Sequence, residues 1–297
     1  MKKKSMMAVK ISSLLIFAVL VACDAANNAE EVIRRELDPL AEVGNIAGDS
    51  ALAISDKVKR EGKEFELTTA QEAGEAEGLA IDHAVGDIEL ITVPGNEIKV
   101  KTRVWFNESF FKNENIRTQV TEQAATSFKL HGGTLELLTH SKEDSSKSLW
   151  DWSQKKFGDS GFMIDYVIEA PESLNHIRIK NDVGKIQVNK WIGAFDLQLG
   201  AGEIQLGQTE VTDNSKIVSE AGSVKLDLVQ IDKDSTLTAS TSAGSITASF
   251  APSMAYTLNT KTELGQITGA SRGQSDVNGG GAKISLSTSV GSIKVNP

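Results

Sequence analysis

The chain has 297 residues, of which 40% are hydrophobic and 24% charged, with 31 basic against 40 acidic residues and a net charge of −9. An acid surplus of this size argues against nucleic acid as a partner and against direct adhesion to anionic lipid or anionic wall polymer. The single cysteine, Cys23, rules out an internal disulfide and a cysteine-based zinc site.

The N-terminus reads as an export signal. Met1-Lys2-Lys3-Lys4 is followed by the apolar run Ile11 to Ala22, too short to span a bilayer and suited to a cleaved leader. Leu20-Val21-Ala22-Cys23 closely resembles the lipobox of bacterial lipoproteins. The resemblance implies lipidation of Cys23 and anchoring at the outer face of the cytoplasmic membrane, in the bacterial cell envelope. Residues 1–22 carry four lysines and no acid, so the chain from Cys23 has 27 basic against 40 acidic residues and a net charge of −13.

Residues 23–75 are expected to form a tether and helical spacer. Asn28 can cap a short helix over residues 29–37 that Pro39 limits, and Asp49 or Ser50 can cap a second one running through Lys59 and ended by Gly62. Val43, Ala47, Ile54 and Val58 are its expected apolar stripe, and Gln71 to Glu77 reads as linker.

From residue 76 to 296 one phrase recurs: Gly, any residue, Ile or Val. Its glycines are Gly86, Gly184, Gly202, Gly222, Gly244, Gly265 and Gly291, and from Gly184 onward the steps are 18, 20, 22, 21 and 26 residues. A step near 20 residues is the mark of a stacked repeat. Counting back from each glycine, positions −7, −5 and −1 are mostly apolar and share one strand face. Position −3 shares that face but is mixed: His83, Asn181, Leu199, Ser219, Thr241, Thr262 and Thr288. It is expected near an edge or in a partly wetted place. Position +2 breaks the parity, so each glycine should sit at a corner or bulge. The fold class that follows is all-β, a short β-solenoid or β-helix-like stack, with a twisted multi-sheet β-sandwich as the alternative. Six contiguous coils would stand roughly 25–30 Å tall. The final strand, Ser292 to Val295, is expected at an edge.

The first repeat is separated from the others by an insertion over 105–170. It contains the strand Thr134 to Leu138, a polar loop from Ser141 to Gly161 carrying Trp150 and Trp152, and the strand Phe162 to Ile168. If that loop is extended, Trp150 and Trp152 face one way and would stack on sugar rings or anchor a protein partner. The alternative is that both indoles fold back as a local cap. Ser271 to Gly281 reads as an excursion between coils, because its step is the longest.

The Gly-Asp/Ser/Lys-Ile motifs, the early repeat set apart by an apolar strand pair, and the strand ending in Val167-Ile168-Glu169-Ala170-Pro171 together resemble the bacterial putative adhesin family. That family is an uncharacterised β-strand-repeat domain of exported and membrane-linked proteins. The resemblance covers about residues 76–296. It carries no catalytic residues over, and it implies a cell-surface adhesin. Links of some relatives to envelope stress imply the runner-up, an accessory protein acting through a membrane protein partner.

No chemistry emerges from the remaining motifs. His83, His131, His140 and His176 have no metal-ligand spacing, no GxSxG elbow occurs, and Asp232-Lys233-Asp234 is too short for a calcium loop. Asp182, Glu203 and Glu220 near successive corners would suit a polysaccharide-active β-helix enzyme, the least favoured reading. The expected protein is a non-catalytic lipoprotein without metal or cofactor, with a cell-wall glycan or a surface or membrane protein as its partner.

Overall fold

The computed structural model describes residues 39–107 and 113–296, with side chains from residue 45 onward. The expected leader, Cys23 and the expected helix at 29–37 lie outside these residues. Helix α1 (Pro39–Glu61) leads into β1 (Lys63–Glu72), β2 (Gly78–Val85), β3 (Ile88–Val93) and β4 (Glu97–Phe106). The insertion supplies α2 (Glu114–Gln123), β5 (Ala124–His131), β6 (Thr134–Ser141), β7 (Asp144–Ser148), α3 (Leu149–Phe157) and β8 (Phe162–Pro171). The repeats follow as β9 (His176–Asn189), β10 (Ile192–Val211), β11 (Ser215–Ile231), β12 (Thr236–Ala243) and β13 (Ile246–Phe250). The last elements are β14 (Tyr256–Leu264), β15 (Ile267–Thr268), β16 (Gly273–Val277), β17 (Ala282–Val290) and β18 (Ile293–Asn296).

The glycine row decides how these strands assemble. Each of the seven repeat glycines has φ between 128° and 146°, a region closed to residues with a Cβ. Coils stack in parallel with glycine on glycine, Gly184 on Gly202 and Gly202 on Gly222. A Cβ on Gly202, Gly222, Gly244 or Gly291 would lie 1.8 Å from the neighbouring glycine's carbonyl oxygen. The sheet therefore folds along this row into two limbs. The first holds β2, the front halves of β9 to β11, then β12, β17 and β14. The second holds β3, the rear halves of β9 to β11, then β13, β18 and β15. Beyond the first coil the limbs extend separately, as β2–β6–β5 and as β3–β8–β4–β1. The all-β stack of repeats is thus present, and its flared end has the character of a sandwich. One core cluster fills the space between the limbs, from Leu79, Leu90, Phe106 and Leu149 at the flared end to Leu258 and Ile293 at the other.

Two expectations about the repeats are corrected. Position −3 is no wetted edge: His83, Asn181, Leu199, Ser219, Thr241, Thr262 and Thr288 are all buried, whereas Leu264 at −1 is 53% exposed. The cause lies in the corner, where the bend leaves carbonyls that the −3 side chain of the next coil can reach. Asn181 Nδ2 donates to the Gly86 carbonyl at 2.9 Å, Thr288 Oγ1 to Gly244 at 3.2 Å and Thr262 Oγ1 to Gly291 at 3.1 Å. His83 Nε2 donates to Ile164, the residue beside Gly86, at 2.7 Å. Buried acceptors need such partners.

The second correction concerns order. β17 pairs with both β12 and β14, and β18 with both β13 and β15. The last repeat is inserted between the coils of Gly244 and Gly265, so the final strand is interior. The Ser271–Gly281 stretch is no simple excursion. Its β16 runs antiparallel along β14 and forms the outer strand of the first limb.

Helix α1 lies along the outside of the glycine row. Its buried positions are Gly48, Ala51, Ser55 and Val58, while Ile54 is 52% exposed. The stripe is small rather than apolar because the surface beneath has no side chains: a Cβ on Gly48 would be 2.7 Å from Gly222 Cα. A helical turn rises about 5.4 Å and coils repeat about every 4.8 Å, so nearly one small residue meets each corner. Ser245 Oγ donates to Asn45 Oδ1 at 3.0 Å at one end. At the other, Lys59 Nζ lies 2.5 Å from Asp87 Oδ2 and 2.9 Å from Asp165 Oδ2.

Candidate functional site

The expected polar loop carrying Trp150 and Trp152 is instead β7 followed by α3. Ser148 caps the helix, accepting from the Asp151 amide at 3.1 Å, and Gly158 ends it in the left-handed conformation at φ 74°. Asp151 in the first turn and Lys155 and Lys156 in the last complement the helix dipole. On a helix, residues two apart point to opposite sides, so the indoles share no face. Trp150 Nε1 donates to the Phe162 carbonyl at 3.0 Å, and its ring meets His83 edge-on at 5.0 Å. Trp152 is 6% exposed, donates to Glu143 Oε2 at 3.1 Å and packs edge-on against Phe157 at 5.4 Å. Lys156 Nζ lies 5.0 Å from the centre of the Trp152 ring, in cation–π range.

Around these indoles the two sheet extensions are joined by buried hydroxyls. Thr102 and Thr126 lie 2.9 Å apart, Thr126 and Thr139 2.8 Å, and Tyr166 donates to Thr139 at 2.7 Å. Burial pushes the Tyr166 hydroxyl up to about 12 and the His83 imidazole down to about 4, so both stay neutral at pH 7. These groups link strands and are all buried.

The row of carboxylates does not form an acid pair. Glu203 is buried between Lys185 at 3.2 Å and Lys225 at 2.5 Å, and accepts from Ser223 at 3.2 Å. Burial alone would raise its carboxyl, but hydrogen bonds from both lysines outweigh that and hold it below the usual range. Asp182 and Glu220 precede their corner glycines, whereas Glu203 follows its own. Burial raises the Asp182 carboxyl, with Asp82 and Glu220 adding to it against Lys180. Burial raises Asp165 as well, although Lys59 beside it works the other way. Among the described residues no group of three or more histidines or acids is placed to hold a metal, and no helix is long and apolar enough to cross a membrane.

Two of the shallow clefts among the described residues are lined by polar groups. One, of about 270 Å³, is lined by Asp144, Lys147, Trp152, Lys155 and Lys156. The other, of about 250 Å³, lies on the outer face of the first limb among Ser240, Ser242, Ser287, Ser289, Lys261 and Glu263. The in-register parallel strands set these hydroxyls in rows.

Comparison with solved structures finds likenesses at low identity. A putative cell adhesion protein from Clostridium sporogenes is 13% identical with a TM-score of 0.40, covering 78% of this chain and 99% of that one. A putative adhesin from Bacteroides fragilis is 15% identical with a TM-score of 0.39, covering 78% and 97%. Comparison with curated proteins finds no match. A family model, Toastrack DUF4097, matches residues 57–296. That span holds the end of α1 and every strand from β1 to β18, and by this match the chain belongs to the Toastrack DUF4097 family.

Proposed function

We propose that the protein is a non-catalytic binding module of the bacterial cell surface, held at the outer face of the cytoplasmic membrane by lipid on Cys23. The observation that carries this reading is the structural commitment of its reactive groups. Glu203 is neutralised by two lysines, His83 is held as a carbonyl donor, and the corner glycines are fixed by close backbone approach. The broad polar faces of the limbs, by contrast, are free to present side chains at regular spacing. A wall glycan or a surface protein is the partner.

A second reading has the same module serve as an accessory to envelope-stress sensing, acting through a membrane protein. Helix α1 supports it. This helix joins the stack to the N-terminal segment and leaves Ile46 and Ile54 exposed on its outer side. Metabolic labelling with a fatty-acid analogue, together with protease shaving of intact cells, tests the placement. Label and surface exposure are expected for the native protein, with label lost in Cys23→Ala. An unlabelled native protein, or one protected from the protease, would contradict it.

A further inference from the structure

We propose that the cleft between β7 and α3 is a subsite for an acidic sugar, one unit of a glycan bearing a carboxylate or phosphate. This rests on the binding-module reading and specifies its ligand. The chain carries a net charge of −9, yet this cleft gathers three lysines, Lys147, Lys155 and Lys156, against two acids, Asp144 on its lining and Glu143 bound to Lys156.

The lysines already show what they bind. Lys147 holds Asp144 at 2.7 Å, and Lys156 holds Glu143 at 2.8 Å. Lys155 lies on the same rim, exposed, with no carboxylate partner among the described residues. Charge-assisted hydrogen bonds of this kind are the stronger ones, and one donor group is left for an incoming anion. Trp152, 6% exposed and fixed by its bond to Glu143, lines the cleft with Lys156 over its ring, so the apolar strip it offers is narrow. The cationic rim with this strip matches a sugar acid, with its charged substituent and its apolar ring edge. The volume, about 270 Å³, falls just below the usual range for whole small-molecule sites, and suits one ring of a longer chain.

The position also fits. The last turn of α3 supplies Lys155 and Lys156 and β7 supplies Lys147, and all three line the one cleft. Charges on so exposed a rim gain little in isolation and are screened by salt. A single unit therefore binds weakly, and a polymer binds by repetition along many copies of the protein.

The test is direct binding of the full-length chain in detergent micelles, by calorimetry at low and physiological salt. The probes are galacturonate oligomers (carboxylate), 6-phosphorylated manno-oligosaccharides (phosphate) and neutral chito-oligosaccharides of equal length. Saturable binding of one or both acidic probes, weakened by salt and absent with the neutral one, is expected; which acidic probe binds identifies the source of the anion. Lys155→Glu should raise Kd about tenfold, and Lys261→Glu on the other cleft should leave it unchanged. No binding of either acidic probe, or binding that Lys155→Glu does not alter, would overturn the subsite. If the protein then still sediments with whole wall, the binding-module reading survives without it.

Discussion

Replacing Gly222 by alanine tests the physical basis of the stack. The new Cβ would lie 1.8 Å from the Gly202 carbonyl oxygen and 2.9 Å from its carbon. Ordinary contact needs about 3.5 Å, so the coils must part locally by more than 1 Å. Retreat is blocked on the other side, where Gly48 of α1 rests on Gly222. The φ of 128° adds about 1–3 kcal/mol of backbone strain for alanine. Parting the coils breaks at least two buried ladder hydrogen bonds, at about 1–2 kcal/mol each. The total, about 3–7 kcal/mol, is a large part of the 5–15 kcal/mol that holds an ordinary domain together. Gly95 is the matched control: its φ is 125°, but nothing lies within 4 Å of its Cβ position. Gly95→Ala carries the strain alone and should cost about 1–3 kcal/mol. Urea unfolding followed by tryptophan fluorescence reads both, since Trp191 is fully buried. A Gly222→Ala protein within about 1 kcal/mol of Gly95→Ala would refute the close-approach explanation of the motif.

Lys59→Met should strand Asp165 and Asp87 under α1 and cost about 2 kcal/mol at neutral pH, less than a fully buried pair because all three groups are partly exposed. Burial already raises Asp165, so the variant's loss should shrink as pH falls and Asp165 takes up a proton; equal urea midpoint shifts at pH 4.5 and pH 8 would count against it. In the native protein burial works to lower Lys59, but Asp165 and Asp87 outweigh it and raise its pKa, so while the two carboxylates stay ionised this contribution is full up to 10.5 and fades at the alkaline end as pH rises through the higher folded value. His83 is depressed from 6.5 to about 4 by burial. Its stabilisation is present above 6.5 and should fall by about 3 kcal/mol as pH drops to 4, at about 1.4 kcal/mol per unit. His83→Gln lacks this titration, and a constant difference in stability between the two proteins over that range would contradict the assignment. Thr288→Val removes a bond to the Gly244 carbonyl and should cost about 1–2 kcal/mol, whereas Thr241→Val removes a hydroxyl that has no partner and should be close to neutral; denaturant midpoints that do not separate the two would refute the role given to position −3.

The repeat was legible because its constraint is local. A corner that needs φ near 135° and no Cβ admits only glycine, so every copy kept it, and the apolar −7, −5 and +2 positions followed from strand parity. The burial of −3 was not legible, since His83, Asn181, Thr262 and Thr288 there answer to carbonyls exposed by a bend that only the assembled corner creates. The stripe on α1 misled for a related reason. A helix that packs on glycines needs Gly48, Ala51 and Ser55, and a search for large apolar residues picks Ile54, which faces solvent. Coil order escaped because spacing fixes what each repeat is and says nothing of its neighbours; the 26-residue step before Gly291 was the one signal, being long enough to add β16 and cross back. In the insertion, Ser148, Asp151, Lys155, Lys156 and Gly158 formed a complete set of helix-end signals that the tryptophans had overshadowed.

The most direct measurement is co-sedimentation of the chain from Asp24 to Pro297 with purified cell wall, with and without calcium, together with an assay of the supernatant for released sugar ends. A surface binding module predicts saturable pelleting with no release. Pelleting accompanied by release would make the protein an enzyme, and no pelleting under any condition would contradict wall binding and leave a membrane protein as the partner to seek.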